Sequence, residues 1–282
     1  MINTVSFPAL GIGPFDINRI ALKIGPVTVY WYGIIICIGL IAGLLYMYFR
    51  FRDFGLNADN LTDVALAAVP CAVIGARLYY VLTSLDEFHS FYEMIAIWDG
   101  GIAIYGAVIA GAAAIYAVCK IRKFPVLKVF DSTAPAVMLG QIIGRWGNFV
   151  NAEAFGVADR YEFFGRVFDI SEMSLKNPLR MSVNGMIVHP TFLYESVWNL
   201  VGFILINAFY KKKRFDGEIL LWYLTWYGLG RCFIEGFRGD SLFVGSVRIS
   251  QLLGLLCFVF GAAVILCVRI KLAADSNSKK IK

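Results

Sequence analysis

The residues of this chain that could do chemistry are a few charged and polar side chains set inside apolar runs. Arg77, Arg145 and Arg231 each interrupt such a run, and Glu235 and Arg238 follow Arg231 closely. Tyr227, Arg231, Glu235 and Arg238 fall at i, i+4, i+8 and i+11, which is one face of a helix, so Glu235 can pair with either arginine. Arg145 and Asn148 are three apart, Asn151 and Glu153 follow, and Gly140, Gly144 and Gly147 are interleaved with them. Small residues at that spacing let a helix or a ligand approach the backbone. A charge at mid-bilayer costs at least about 2.5–3.5 kcal/mol, so each of these needs a reason. One reading is structural: arginines that snorkel to the interface or pair to fix helix packing, as Glu235 with Arg231 or Arg238 would. The other takes the set together. Several guanidiniums at one depth make an excess of positive charge that an anion can meet, and planar, bidentate donors suit phosphate. No His, Asp and Glu share a face in a way that suits a metal, so neither metal nor cofactor is expected. Cys37, Cys71, Cys119, Cys232, Cys257 and Cys267 all lie in apolar stretches without a CxxC pair and read as small hydrophobes.

The elements that must position these residues are membrane spans. Hydrophobic residues make up 59% of the 282 and charged residues only 16%, against a soluble norm of roughly 25% charged. The apolar residues come in runs near the roughly 20 that a bilayer requires. The expected fold is an all-α integral membrane protein of about seven transmembrane helices with a small extracytoplasmic head. The spans are predicted at 27–49, 61–84, 101–119, 129–150, 191–210, 217–237 and 248–270. In domain terms, an extracytoplasmic N-terminal segment (1–26) precedes four helices (27–150). A polar head insert (151–190), three more helices (191–270) and a cytoplasmic tail (271–282) follow. The net charge of +6 does not point to nucleic acid, because the basic residues cluster in short loops, where they set topology. The first apolar run is long and lacks both a basic n-region and a small-x-small site, so no cleaved leader is expected.

Orientation follows from the loops. Arg50 and Arg52, then Lys120, Arg122, Lys123 and Lys128, then Lys211, Lys212, Lys213 and Arg214 lie on one side. The tail adds Arg269, Lys271, Lys279, Lys280 and Lys282, whereas the 85–99 loop carries Asp86, Glu87, Glu93 and Asp99 and no base. The positive-inside rule then sets the N-terminus outside and the C-terminus in the cytoplasm. This depth assignment puts Arg77, Arg145, Arg231, Glu235 and Arg238 in the outer halves of their spans, with Tyr32 and Tyr105. A phospholipid headgroup of the outer leaflet is then the nearest anion. The alternative is a phospholipid-binding transporter or flippase without covalent chemistry. It would need polar residues along the whole path, and the inner halves read as nearly bare; no internal repeat is visible either. A seven-helix receptor shares the topology but leaves the intramembrane charges without purpose.

The segment Gly144-Arg145-Trp146-Gly147-Asn148-Phe149-Val150-Asn151-Ala152-Glu153-Ala154-Phe155-Gly156 fits G-R-x-[GA]-N-F-x-N-x-E-x-x-G throughout. It resembles the signature of bacterial phosphatidylglycerol–prolipoprotein diacylglyceryl transferases. Trp31-Tyr32-Gly33, Gly75-Ala76-Arg77, His189-Pro190-Thr191 with Tyr194-Glu195, and Tyr227-Gly228-Leu229-Gly230-Arg231 followed by Glu235 and Arg238 resemble further motifs of that family. The resemblance implies a transferase of the bacterial plasma membrane. It would move a diacylglyceryl group from phosphatidylglycerol to the lipobox cysteine thiol of a prolipoprotein, forming a thioether and releasing glycerol phosphate. By the same motifs, Arg145 and Arg231 are implied to be essential, and Tyr32, Asn148 and Gly156 to lie in the site. Arg77, Asn151, Glu153, Tyr227, Glu235 and Arg238 are expected to bind substrate. Many family members carry His-Gly-Gly where this chain has Tyr105-Gly106-Ala107. An ordinary Tyr titrates near 10 and His at about 6.5, so Tyr105 is the poorer base. Either nearby arginines activate Tyr105, or no imidazole is needed and its hydroxyl hydrogen-bonds. His189, before Pro190, reads equally as a structural residue.

Overall fold

The computed structural model of the protein describes residues 2–25 and 27–281. Met1, Pro26 and Lys282, counted in the expected N-terminal segment and tail, lie outside the described residues, as do the side chains of Asp99, Lys279 and Lys280. The helices are α1 (Trp31–Asp53), α2 (Ala58–Thr83), α3 (Phe91–Ile95), α4 (Ile104–Ile121), α5 (Val126–Asn151), α6 (Ser171–Lys176), α7 (Thr191–Phe209), α8 (Glu218–Ile234) and α9 (Ile249–Ile281). Among the described residues, six helices are long and apolar enough to cross a membrane: α1, α2, α4, α5, α7 continued to Lys212, and α9 as far as Asn277. The expected sixth span, 217–237, is the 17-residue α8 followed by a 3₁₀ turn at Glu235–Phe237.

The all-α expectation needs correction, because the segments between helices are rich in strands. These are β1 (Ile2–Phe7), β2 (Ile12–Asn18), β3 (Ile20–Ile24), β4 (Val27–Tyr30), β5 (Gly156–Val157), β6 (Arg160–Phe163), β7 (Arg166–Asp169), β8 (Met181–Val183), β9 (Met186–His189), β10 (Phe243–Val244) and β11 (Val247–Arg248). Runs of two to seven residues are invisible beside apolar runs of span length, yet outside lipid their backbone groups must still pair. A local signal was present: Asn184-Gly185 joins β8 to β9 with both residues at positive φ, the turn chemistry of a two-residue hairpin. The N-terminal segment and the 151–190 insert, expected as separate pieces, share one five-stranded sheet in the order β2-β1-β8-β9-β5. Its apolar side is Val5, Met181, Val183 and Val188 packed with Phe192, against which Phe149 and Leu193 also lie. The sheet therefore rests on the end of α5 and the start of α7, where polar motifs of the sequence sit.

The chain divides into two compact units, Leu44–Thr133 and the remainder. In the first, α2 and α4 run against each other with backbones nearly touching: a Cβ on Gly75 would lie 2.7 Å from the Gly106 carbonyl oxygen. In the second, the first part of α1 packs antiparallel on the small-residue stripe of α5. Gly43 faces Ala136, Gly39 faces Gly140, Ile36 meets Gly144 and the Tyr32 ring covers Gly147. Of the two expected uses of that stripe, helix approach is the one realised. Trp198 on α7 and Trp226 on α8 stack 4.5 Å apart, and each indole donates to the other's carbonyl at 2.9 and 2.8 Å.

Candidate active site

Seven of the polar residues picked out from the sequence form one continuous network in the larger unit. The last turns of α5 present Arg145 and Asn148 on one face, and the turn beyond the helix folds Glu153 back over it. Ala152 and Ala154 adopt left-handed conformations (φ 48° and 56°) to make this reversal, a conformation disfavoured for residues with a Cβ. Glu153 Oε1 then accepts from Asn148 Nδ2 at 3.0 Å and from Asn151 Nδ2 at 3.3 Å, which leaves Asn148 Oδ1 to accept from Arg145 Nη1 at 3.3 Å. The other Nη of Arg145 pairs with Glu195, in the second turn of α7. Arg231, at the end of α8, donates to Glu195 Oε1 at 2.8 Å and pairs with Glu235 at 2.5 Å. Arg238 reaches Glu195 Oε1 at 3.6 Å and forks onto Asp240 at 3.0 and 2.9 Å.

Glu195 is thus the hub for three guanidiniums, and the sequence reading, though it quoted the residue, did not place it in the site. The signal was available, since a carboxylate five residues into an apolar span carries the same cost as the arginines. Its discovery corrects the argument from charge. Arg145, Arg231 and Arg238 face Glu195, Glu235 and Asp240, so the cluster is close to balanced rather than in excess. Access differs between the arginines and two of the carboxylates that pair with them. The side chains of Glu195 and Glu235 are 4% and 2% exposed, while those of Arg145, Arg231 and Arg238 are 19%, 13% and 13% exposed. Glu195 and Glu235 lie behind and orient the guanidiniums, whereas Asp240, 52% exposed, and Glu153 stand at the open side with the arginines. Burial pushes the Asp240 carboxyl up, but the fork from Arg238 and the charge of Arg231 outweigh it and hold the group below its ordinary value.

Gly156 serves this site through backbone approach. It bridges Arg238 in β fashion, and a Cβ there would lie 2.7 Å from His189 Cβ and 3.0 Å from the Phe237 carbonyl oxygen. The Arg238 loop is pinned from behind by Arg248, which donates to the Arg238 carbonyl at 2.5 Å and to Glu162 Oε2 at 3.0 Å. Below the cluster, Tyr227 stacks on Tyr223 with centroids 5.6 Å apart, and Gln141 donates to the Tyr223 hydroxyl at 3.0 Å. Asn199 approaches Gln141 at 3.5 Å. The spans are therefore less bare than expected, with Gln141 joining Tyr223 and Asn199 across the helices.

A family profile described as prolipoprotein diacylglyceryl transferase matches residues 19–267. Phosphatidylglycerol–prolipoprotein diacylglyceryl transferases of Ligilactobacillus salivarius and Oceanobacillus iheyensis are 40% and 41% identical to this chain. The first match covers 88% of this chain and 92% of the relative, the second 86% and 85%. One from Streptococcus pyogenes serotype M5 is 41% identical over 87% of this chain and 93% of its own length. The chain belongs to the prolipoprotein diacylglyceryl transferase family.

Within this transferase fold, Tyr32, Arg145, Asn148, Asn151, Glu153, Gly156, Tyr227, Arg231, Glu235 and Arg238 all lie in the larger unit. Tyr105 and Arg77 belong to the other. Arg77 is buried there, and its donors go to backbone carbonyls: Met94 at 3.0 Å, Gly100 at 2.5 Å, Gly101 at 2.7 Å and Glu93 at 2.5 Å. Together with the Ala103 N–H on the Ala76 carbonyl at 3.0 Å, it ties down the loop from which α4 starts. Tyr105 stands in the first turn of that helix, its ring 6.3 Å from that of Tyr79. Of the histidines, His189 bonds to Ser174 Oγ through Nε2 at 2.7 Å and to the Tyr194 hydroxyl through Nδ1 at 3.1 Å. Burial holds this imidazole below its ordinary value, so it is a neutral linker between sheet and helix.

Proposed function

We propose that this multi-pass membrane protein transfers the diacylglyceryl group of phosphatidylglycerol to the lipobox cysteine of prolipoproteins, the first step of bacterial lipoprotein maturation. The observation that carries the reading is the convergence of three partly open guanidiniums, Arg145, Arg231 and Arg238, on the buried Glu195, with the buried Glu235 behind Arg231. In the reaction, the precursor's thiolate attacks the glycerol carbon that bears the phosphate. A C–S bond forms, the C–O bond to phosphate breaks, and glycerol phosphate departs with the bonding pair. The thiol proton leaves to solvent or to the departing phosphate. Arg145 and Arg231 hold the phosphate and stabilise the charge that grows on it, a preorganised electrostatic effect. The same cations favour the thiolate. Arg238 extends the cationic edge. Glu195 and Glu235 position the arginines, while Asn148, Asn151 and Glu153 fix the Arg145 fork. Tyr32 and Tyr227 flank the headgroup.

The plasma membrane is the setting, with the N-terminus outside, the C-terminus in the cytoplasm and the site towards the extracytoplasmic leaflet. The distribution of Lys and Arg among the loops supports this. Seven crossings follow if α8 and its 3₁₀ extension span, since 17 helical residues and three more cover about 30 Å. The 1–26 segment and the 151–190 insert then form an extracytoplasmic head through their shared sheet. For Arg77 the functional reading rests on motif correspondence and depth, and for Tyr105 on its depth and its place where many family members have histidine.

The test is transfer of labelled diacylglycerol from phosphatidylglycerol to a lipobox peptide by purified protein. Arg145→Ala and Arg231→Ala should each lower transfer by about 10²–10³-fold or more while leaving a folded, membrane-inserted protein. Near-normal turnover in either variant would sink the assignment. Survival of Tyr105→Phe removes the phenol as a base, and its loss makes Tyr105 the substitute for the histidine usual in the family.

A further inference from the structure

The ends of α7 and α8 away from the arginine cluster hold a second cationic arrangement over an apolar cleft. About 470 Å³ in volume, this cleft is floored by Trp226, whose indole lies on Gly202 where any side chain would collide with it, and by Trp222 and Ile206. Its rim carries Lys212, Arg214 and Arg269. Glu218, fully buried beneath, is already satisfied: Arg269 Nε donates to one oxygen at 2.5 Å and the Arg214 backbone N–H to the other at 2.5 Å. Among the described residues no carboxylate pairs with the Lys212 or Arg214 side chain, and both are exposed. The Lys212 ammonium sits over the Phe209 ring at 4.8 Å, and Arg269 over Trp222 at 6.0 Å. The rim therefore keeps two uncompensated positive charges above a slot walled by aromatic and aliphatic side chains.

We propose that this cleft binds an anionic phospholipid, its phosphate against Lys212 and Arg214 and one acyl chain along Trp222 and Trp226. An apolar slot alone would take any lipid tail; the unpaired cations select for an anionic headgroup. Glu218 and Arg231 are 13 residues apart on α8, about 20 Å along its axis, so this lipid occupies the other leaflet from the arginine cluster. It is a separate site from the proposed donor site. The occupant braces the Glu218–Arg269 pair that joins α8 to α9, and the inference stands whether or not the chain catalyses transfer.

The test uses a phosphatidic acid carrying a photoreactive acyl chain, titrated into the full-length protein in neutral detergent, with labelled peptides mapped by mass spectrometry. Label should fall within 202–226 and 266–272. Lys212→Gln with Arg214→Gln should weaken it about thirtyfold, at roughly one decade or less per surface cation. Lys120→Gln with Lys123→Gln, a basic pair elsewhere, should leave it unchanged. Equal labelling of the Lys212/Arg214 variant, with an unaltered melting temperature, overturns the proposal. So does equal competition by phosphatidylcholine, which would mean an apolar slot without headgroup choice. Displacement by inorganic phosphate as effective as that by unlabelled phosphatidic acid would identify a free-anion site and overturn it as well.

Discussion

Arg77 and Arg231 look alike in the sequence, each a lone guanidinium near the end of an apolar helix, yet the structure uses them in opposite ways. Arg77 is buried and gives four of its five N–H donors to carbonyls of the segment before α4, contacts that neutralise no charge. Arg231 shares Glu195 with Arg145 and Arg238, and all three stay partly open while Glu195 and Glu235 are closed. An arginine whose donors are spent on backbone is a clamp. One held by carboxylates from behind is preoriented for an anion in front, because the carboxylate fixes its fork and offsets the cost of burying its charge.

Several substitutions would break or sharpen that contrast. Removing the hub should have the largest effect. Glu195→Ala leaves three guanidiniums around an empty position and should cost about 3–5 kcal/mol of stability by thermal unfolding in detergent, the usual penalty for stripping one partner from a buried ion cluster. Stability within about 1 kcal/mol of wild type would mean that the cluster is not held by Glu195. Arg231→Ala should lower turnover by about 10²–10³-fold, the range for deleting one transition-state donor. It should do so with a smaller loss of stability than Glu195→Ala, and a larger one would recast Arg231 as a clamp of the Arg77 kind. Arg77→Gln should show the reverse. We expect about 2–3 kcal/mol of destabilisation from orphaned carbonyls, with turnover per folded molecule little changed. Turnover that collapses in folded protein would return Arg77 to the substrate site.

Two smaller effects concern the frame around the cluster. His189 is held neutral by burial, so its folded-state pKa lies below the ordinary 6.5. The unfolded chain therefore binds the proton first as pH falls. The contribution is complete above about 6.5 and declines below it until the folded imidazole itself protonates. Unfolding followed from pH 8 to 5 should show that decline in wild type and a flatter profile in His189→Gln; identical profiles would remove His189 from the account. Ala154→Gly, at a left-handed position, should gain about 0.5 kcal/mol with transfer intact, and a loss would show that the Ala methyl packs in the reversal after α5.

Much of the cluster was legible along the chain, for a local reason. Helical spacing put Tyr227, Arg231 and Glu235 on one face, and the 144–156 motif gathered Arg145, Asn148, Asn151 and Glu153 within two turns and a reversal. The Gly140-Gly144-Gly147 stripe announced a close helix contact, although not that Tyr32, Ile36 and Gly39 would fill it. Glu195 escaped because its partners, Arg145 and Arg231, lie on other helices and are chosen across space. Read alone, the arginines suggested an excess of charge that their neighbours in the fold largely cancel. The strands were missed because pairs such as Val5 with Val183 are separated by most of the chain and carry no periodic mark.

By itself, then, the sequence determined the membrane class, the approximate place of six spans, the family motif and the helix faces that bear charge. All of these depend on composition or on spacing within a single element. Only the tertiary structure decided that Glu195 gathers three arginines, that Arg77 spends its donors on a loop, and that the N-terminal strands complete the sheet of a distant insert. Those outcomes depend on which side chains meet when elements pack. In a low-dielectric interior, each buried charge and backbone group must find its partner wherever packing brings one within reach.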